Sequence, residues 1–230
     1  MTALRVLVVD DELLFAELMR VALSRADDIE VVGVVHAVGE ALAEAPRLAP
    51  AVVLCDYHLP DGTGADVARS LRRTLPDVSV LVLTGDPSPS VLADVARSGA
   101  VGHLTKARGL DEVVAAVRQA AGGEILFTPS ELQRLLLTEP PAERTLDEPL
   151  TARELEVLRL LAGGTSTAAS SVQLGISPAT LRAHVQAILR KLGAHSRLEA
   201  VAEAARMGLI SIETGQRDPS PARGSALASR

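Results

Sequence analysis

The stretch that decides the fold of the first half of the chain is Leu4-Arg5-Val6-Leu7-Val8-Val9-Asp10-Asp11, an apolar run that ends in two acidic residues. Such runs are typical of strands that are buried on both faces of a parallel sheet. Four similar runs follow, at 29–35, 51–55, 78–83 and 101–104. Segments with helical spacing separate them, and this alternation predicts a doubly wound α/β domain with five parallel strands.

The apolar residues of four intervening segments predict which helix faces pack on the sheet. Residues three or four apart share one face of a helix, so each set marks a stripe that we expect to be buried. The sets are Leu14, Leu18, Val21 and Ala22 in the first helix, Val67, Ala68 and Leu71 in the third, Val91, Leu92 and Val95 in the fourth, and Val113, Val114 and Val117 in the fifth.

Composition and charge limit the classes of function. Only three aromatic residues occur, Phe15, Tyr57 and Phe127, which excludes an aromatic platform for single-stranded nucleic acid. Residues 1–123 carry a net charge of −6, whereas residues 150–212 carry +3. This asymmetry indicates a nucleic-acid partner for the second half alone. No apolar stretch is long enough to span a membrane and no signal peptide is evident, so we expect a cytoplasmic protein without a membrane partner.

The chain divides into four parts. Residues 1–123 form the predicted α/β domain, and the acidic, proline-containing segment 124–148 is the predicted linker. Residues 149–213 contain helical patterns and no convincing strand, which predicts a small all-α domain of four helices. Residues 214–230 are rich in Ser, Ala, Pro and Arg, and we expect a disordered tail.

Polar residues end several of the predicted strands. Asp10 and Asp11 follow the first strand, Asp56 the third and Thr84 the fourth, and Lys106 lies near the end of the fifth. Function gathers at the carboxyl ends of strands in open α/β sheets, so we expect these side chains to meet. A cluster of carboxylates needs a compensating cation, and oxygen ligands suit Mg²⁺. Asp56 is the candidate nucleophile for a phosphoryl group, and Asp11 and Asp56, with Asp10 assisting, are the candidate metal ligands.

These residues resemble the receiver domains of response regulators. The resemblance covers residues 4–122 and rests on Asp10-Asp11, the run Leu54 to Gly64, Leu83-Thr84-Gly85, and the run Gly99 to Lys106. It implies a flavodoxin-like fold and a phosphoryl group donated by a cognate histidine kinase. It also implies that the backbone carbonyl of His58 is a metal ligand. Thr84, Gly85, His103 and Lys106 would then contact the phosphate or take part in the conformational switch.

His103 departs from the family, which usually has Tyr or Phe at this position. One interpretation is that the charge of histidine couples the switch to pH. The alternative, which we favour, is a strand residue half exposed on the output face. Simpler roles are expected for four other residues: Asp61 in a turn, Thr63 as the cap of the third helix, His36 as an ordinary loop residue, and Cys55 as a small buried hydrophobe.

The helical half contains a capped helix pair around a glycine. Thr151 and Glu154 have the spacing of a capping box, and a short second helix is expected from Ser166 to Leu174. Gly175 makes a turn, after which Ser177 caps a third helix that has Pro178 at its first position. Arg182, Gln186 and Arg190 share one polar face of that helix. This arrangement indicates a helix-turn-helix.

The stretch Leu150 to Ile210 resembles the LuxR-type output domain. The motifs that carry this resemblance are Leu150 to Leu158, Gly175 to Val185 and Lys191 to Arg197. It implies that the third helix enters the major groove of double-stranded DNA. The assigned DNA contacts are Thr180, Arg182, Ala183, Gln186 and Arg190. It also implies that the fourth helix pairs two copies on activation, and the assigned dimerisation residues are Arg197, Val201 and Ala205.

The second helix of this domain departs from the family pattern Lys-Glu-Ile-Ala. The chain has Ala168-Ala169-Ser170-Ser171 there, so a basic phosphate contact is lost and Ser170 replaces a core aliphatic. We therefore expect weak or dimer-dependent DNA affinity with a shallow dependence on salt.

Three functions remain open at this point. The first, which we favour, is a two-component transcription regulator controlled by phosphorylation of Asp56, and not a dedicated enzyme. The second is a phosphatase with an aspartyl-phosphate intermediate, like the haloacid-dehalogenase-like enzymes. Those enzymes have an acid two residues after the nucleophile, where this chain has His58. The third is a DNA-binding regulator that does not need phosphorylation.

Overall fold

The structure is a computed structural model. It describes residues 3–86, 88–128, 131, 146, 148–194 and 196–211. The predicted tail, 214–230, and most of the predicted linker lie outside the described residues. Within the described ranges, no helix combines the length and apolar character needed to cross a bilayer.

The first half is the predicted α/β domain. Its elements are β1 (Leu4–Val9), α1 (Leu13–Leu23), β2 (Ile29–Val35), α2 (Val38–Leu48), β3 (Val52–Asp56), β4 (His58–Leu59), β5 (Gly62–Thr63), α3 (Gly64–Thr74), β6 (Ser79–Thr84), α4 (Pro89–Ser98), β7 (Gly102–Thr105) and α5 (Leu110–Ala121). The five long strands form one parallel sheet in the order β2-β1-β3-β6-β7, and β4 and β5 form a small antiparallel pair. The doubly wound sheet is thus confirmed.

Both faces of the sheet are covered by helices, because alternate residues of its inner strands point into two separate cores. Leu7, Val53 and Val82 lie in the core beneath α2, α3 and α4, and Val8 and Leu54 lie in the core beneath α1 and α5. The predicted faces of α3 and α4 are buried, as are Val113 and Val117 of α5; Val114 of the same face is only partly buried.

The predicted face of α1 was wrong. Leu14, Leu18 and Val21 are exposed, by 86%, 45% and 40% respectively, and only Ala22 of that set is buried. The helix instead packs through Ala16, Met19 and Leu23. Helical spacing identifies a stripe, but two adjacent apolar stripes are present here and spacing alone does not tell which one faces the sheet.

The second half is the predicted helical domain. Its helices are α6 (Ala152–Ala162), α7 (Thr167–Leu174), α8 (Pro178–Leu192) and α9 (Arg197–Arg206). Thr151 and Glu154 form the expected capping box, and the side chains of Ser166 and Ser177 cap α7 and α8. The core is aliphatic and includes Leu158, Val185 and Ile188. Helices α7 and α8, joined at Gly175, are the helix-turn-helix.

Residues 124–128 belong structurally to the first domain, although the sequence places them in the linker. Leu126 donates its backbone N–H to the Val101 carbonyl over 2.8 Å and forms a parallel bridge with Gly102. Phe127 is buried against the same domain. The start of the linker therefore packs along the edge of the sheet at β7 and joins it through the bridge at Gly102.

Candidate functional site

Three carboxylates converge at the carboxyl ends of β1 and β3. Asp10 and Asp56 are buried and Asp11 is exposed, and one oxygen from each lies within 4.8 Å of the others. Because β1 and β3 are adjacent parallel strands, Asp10 and Asp56 leave the sheet at the same edge. The predicted acidic cluster is therefore present.

Lys106 provides the positive charge of this site. Its Nζ lies 3.0 Å from Asp10 Oδ2 and 3.3 Å from Asp56 Oδ1. Two further contacts were not anticipated from the sequence: Nζ lies 3.0 Å from Glu12 Oε1 and 4.5 Å from the centre of the Phe15 ring. Glu12 directly follows Asp10-Asp11 and Phe15 lies in the first turn of α1, and this closeness in sequence is the signal that could have placed them at this edge. They hold the ammonium group over the carboxylates.

Burial makes the carboxylates of the site difficult to ionise. It raises the pKa of Asp56 to about 6, an effect that Lys106 opposes and Asp10 reinforces. Burial also raises the pKa of Asp10, against its hydrogen bonds. Burial disfavours the charge of Lys106, but its contacts with Glu12 and Asp10 raise the pKa to about 12. One ammonium group thus faces several carboxylates, and the site carries excess negative charge.

The donor set fits a hard divalent cation. Asp10 Oδ2 is buried and has no hydrogen-bond partner among the described residues; its contact with Lys106 Nζ over 3.0 Å is an ion pair. An orphaned carboxylate oxygen beside two further carboxylates can hold such an ion through oxygen ligands alone. His58, the predicted carbonyl ligand, lies in β4 directly after this cluster with its side chain exposed.

Thr84 and Gly85 lie at the end of β6, beside Asp56. The Thr84 side chain is fully buried, and its hydroxyl donates to the Asp86 carbonyl over 2.9 Å. It also accepts from the Asp86 N–H over 3.0 Å, so it is engaged in its own loop. Gly85 is exposed, and a Cβ added there would meet no described atom within 4 Å. The predicted contact of Thr84 with a phosphate therefore requires this loop to rearrange.

Neighbouring residues hold the edge of the site in place. A Cβ on Gly64 would lie 2.5 Å from the Asp56 carbonyl, so only glycine allows α3 to start this close. Thr63 caps α3, as predicted. Asp61 lies in a turn and His36 in a loop, as predicted, but both also make contacts that the sequence did not indicate. Asp61 accepts from the backbone N–H groups of Val38 and Gly39 and so caps α2, and His36 donates from Nδ1 to the Asp10 carbonyl over 2.8 Å. Cys55 is fully buried, as expected.

His103 is buried, contrary to the half-exposed position expected for it. It is 8% exposed in β7, because Phe127 covers it with ring centres 5.5 Å apart. Its Nε2 lies 3.5 Å from Glu131 Oε1, and its Nδ1 has no hydrogen-bond partner among the described residues. Burial lowers the pKa of His103, which Glu131 opposes and Arg108 reinforces.

The predicted DNA-contact residues share the exposed face of α8. These are Thr180, Arg182, Ala183, Gln186 and Arg190. All except Thr180 line a cavity between the two domains, so the receiver half faces the recognition helix. Thr180 Oγ1 instead lies 2.9 Å from Ser177 Oγ, within the cap of α8.

The two domains touch through α7 and α9. The backbone N–H of Thr167 donates to the Gly122 carbonyl over 2.9 Å, and Arg197 Nη1 donates to the Gly123 carbonyl. Leu198 packs into the core of the first domain. These contacts hold α8 against the receiver half.

The dimerisation residues predicted on α9 are not all available. Val201 is fully buried in the core of its own domain, so its assignment to a dimer surface was wrong. Arg197 is occupied by Gly123 of the same chain, and Ala205 is only partly buried. The family resemblance located the helix but not which of its faces is free.

Comparison with known proteins agrees with this architecture. Residues 6–118 match the model of the response regulator receiver domain, and residues 148–204 match that of the bacterial regulatory proteins of the luxR family. The chain belongs to the DNA-binding response regulators, and within them to the NarL/FixJ type that joins a receiver to a LuxR-type domain.

The chain aligns with transcriptional regulators over nearly the whole length of those proteins. The "Probable transcriptional regulatory protein NarL" of Mycobacterium tuberculosis is 35% identical over 206 residues, 90% of this chain and 95% of that protein. The response regulator GacA of Pseudomonas protegens is 33% identical, over 90% of this chain and 98% of its own.

Among solved structures, the receiver domain of the M. tuberculosis NarL has a TM-score of 0.52 at 33% identity, covering 54% of this chain and 99% of its own. The response regulator ChrA of a heme-sensing two-component system has a TM-score of 0.50 at 27% identity, covering 91% and 100% respectively.

Proposed function

We propose that this protein regulates transcription from the cytoplasm and that a histidine kinase controls it by phosphorylating Asp56. The observation that carries this proposal is the position of Asp56: it is buried beside Asp10 and Asp11, with Lys106 Nζ 3.3 Å from its Oδ1. A carboxylate placed next to a fixed ammonium group and an orphaned oxygen is arranged to accept a phosphoryl group.

In the proposed reaction, a carboxylate oxygen of Asp56 attacks the phosphorus of a phosphohistidine. The new P–O bond forms as the P–N bond breaks, and the imidazole leaves with the electron pair. Lys106 pairs with a phosphoryl oxygen and reduces the repulsion between that group and Asp10. The Thr84 hydroxyl leaves Asp86 and donates to a second phosphoryl oxygen. The chain modifies only itself, so it is not a dedicated enzyme.

Mg²⁺ is the cofactor that this donor set fits. Asp11 and Asp56 would hold it, with Asp10 assisting and the His58 carbonyl as a further ligand. When bound, it supplies positive charge that neutralises the phosphoryl oxygens and the excess carboxylates.

The output step is a shift between two arrangements of the domains. In the arrangement described above, Arg182 and Gln186 face the receiver half across the cavity, and we infer that the receiver hinders the approach of double-stranded DNA to them. Phosphorylation of Asp56 would favour an arrangement in which α8 is free and two copies pair on DNA. DNA and a second copy of the chain are therefore the proposed partners of the phosphorylated form.

DNA binding with and without a small-molecule phosphodonor tests the first step. Genome-wide capture with the wild-type protein should yield specific sites that depend on the phosphodonor, and Asp56→Ala should abolish that dependence. If Asp56→Ala binds the same sites in the same phosphodonor-dependent manner, Asp56 is not the phosphoacceptor.

The DNA surface is tested on a site from that capture. Arg182→Ala should weaken binding, whereas Arg159→Ala, an exposed arginine on α6 outside this face, should not. For a dimer that uses Arg182 and Arg190 of each copy, the logarithm of the association constant for DNA should fall with the logarithm of the salt concentration with a slope of roughly −4. A much steeper slope would contradict the small contact set.

A further inference from the structure

The cavity between the two domains has an unusual charge for this acidic protein. Its volume is about 1060 Å³, and four arginines but only two acids, Asp77 and Glu124, line it among the described residues. The arginines are Arg72, Arg182, Arg190 and Arg197. The cavity lies at the amino-terminal end of β6, the opposite edge of the sheet from Asp56.

Two of these arginines are half-buried, and neither forms a salt bridge with a described residue. Arg72 Nη1 is buried and has no hydrogen-bond partner among the described residues. Arg197 donates to the Gly123 carbonyl and lies 3.3 Å from Thr167 Oγ1, both neutral groups. Burial lowers the pKa of both guanidinium groups; Arg182 adds to the effect at Arg197, and Glu199 opposes it at Arg72. Taking a cation partly out of water without a salt-bridge partner is unfavourable, and a bound anion would relieve that cost.

We infer that this cavity binds a small phosphorylated anion, for which Arg72 of the receiver and Arg182 and Arg197 of the output domain supply the cationic groups. Arginine is suited to this because its guanidinium group donates two parallel hydrogen bonds to a phosphate. Apolar walls such as Val78, Ala100 and Leu189 leave room for a ligand of roughly nucleotide size.

This site shares Arg182 with the proposed DNA surface but differs from that surface because it also uses Arg72 of the receiver and Arg197 of α9. An anion that bridges Arg72 and Arg182 would stabilise the arrangement in which α8 is covered. It would therefore oppose DNA binding through the closed form, independently of Asp56.

Calorimetric titration of the full-length, unphosphorylated protein with inorganic pyrophosphate and tripolyphosphate, at constant ionic strength, tests the site. We expect saturable binding with one site per chain. Arg72→Gln should weaken it about tenfold, as expected for one charge-assisted interaction. The matched control is Arg73→Gln, the adjacent exposed arginine of α3, which should stay within about twofold of wild type. Absence of saturable binding, or equal effects of the two substitutions, overturns the proposal.

A second variant guards against an indirect effect of Arg72→Gln on folding. Ala168 is exposed on α7 and lines the cavity, so Ala168→Glu places a negative charge there without disturbing a core. It should also weaken pyrophosphate binding. In a DNA-binding assay at constant ionic strength, pyrophosphate should inhibit the wild type more than Arg72→Gln. Equal inhibition would mean that pyrophosphate only competes with DNA for Arg182 and Arg190, and would exclude the cavity site.

Discussion

His103 Nε2 lies 3.5 Å from Glu131 Oε1, which joins the last strand of the receiver to a residue beyond its sheet. The Phe127 ring covers the same imidazole, and Leu126 is hydrogen-bonded to the strand edge. A change in the position of His103 would therefore be transmitted directly to the segment that leads to the DNA-binding domain. The aromatic residue usual at this position in the family could fill the same space but carries no nitrogen that can be protonated beside Glu131.

His103 should make the stability of the protein dependent on pH in a defined direction. Burial lowers its pKa below the ordinary 6.5, so the folded protein binds this proton less readily than the unfolded chain. Relative to His103→Phe, the free energy of unfolding of the wild type should decrease as the pH falls below 6.5, and the two should run parallel above it. Urea unfolding of both proteins between pH 8 and 5.5 measures the difference.

Both proteins contain Asp56, so the comparison with His103→Phe cancels the contribution of Asp56 to the pH dependence of stability. That contribution has the opposite sign and falls in a neighbouring pH range. A difference between the two proteins that is independent of pH would show that His103 titrates as it does in the unfolded chain. Glu131→Gln provides a further check: because Glu131 opposes the lowering of the pKa, its removal should make the loss of stability at low pH larger.

Asp56→Asn should stabilise the protein when no divalent ion is present. The pKa of Asp56 is about 6 in the folded state against an ordinary 3.8, so the wild type loses stability as the pH rises from 3.8 to 6. At pH 7.5 the variant should gain about 1 kcal/mol, less than the full shift implies because the site opens to solvent at Asp11. Added Mg²⁺ should raise the melting temperature of the wild type and raise that of the variant less. An equal response of both proteins would remove Asp56 from the metal site.

The strands and the acidic site could be predicted from the sequence, because each depends on a local sequence pattern. Apolar runs that end in Asp10, Asp56 and Thr84 imply parallel strands, and parallel strands bring their carboxyl ends to one edge. The caps at Thr151 and Ser177 were accessible for the same reason, since capping depends on residues three apart.

Features that depend on three-dimensional packing could not be predicted from the sequence. The exposed stripe of α1 could not be distinguished from its buried one, because both are apolar. The contact of Arg197 with Gly123 crosses 74 residues of sequence and depends on how the two domains meet, for which the linker carries no pattern. Val201 was misassigned for a related reason: knowing that α9 pairs copies in the family does not tell which face is free in this chain.

Ser170 and Ser171 offer a matched pair of substitutions in α7. Both are buried, but the Ser171 hydroxyl donates to the Thr167 carbonyl over 2.8 Å, whereas the Ser170 hydroxyl has no partner in the described part of the chain. Ser170→Ala removes an unsatisfied group and should stabilise the full-length protein by about 1 kcal/mol. Ser171→Ala loses a hydrogen bond and should be neutral or destabilising. Calorimetry of the transition in which the output domain unfolds gives the change in stability for each variant. Equal changes would show that the Ser170 hydroxyl has a hydrogen-bond partner in solution.

Gly123→Ala should open the two domains without phosphorylation. Gly123 has a φ of +73°, and a Cβ there would overlap the Arg197 guanidinium, so the hydrogen bond from Arg197 to the Gly123 carbonyl would break and the contact between α9 and the receiver would weaken. Gly164→Ala is the control, because Gly164 has nearly the same φ of +70° but no atom within 4 Å of an added Cβ. Both variants carry the same backbone strain, of about 1 kcal/mol, and only the first disturbs the interface. Unphosphorylated Gly123→Ala should therefore bind DNA more tightly than the wild type, while Gly164→Ala should match the wild type. If both variants bind like the wild type in an anisotropy titration, the contact of Arg197 with Gly123 does not keep α8 from DNA.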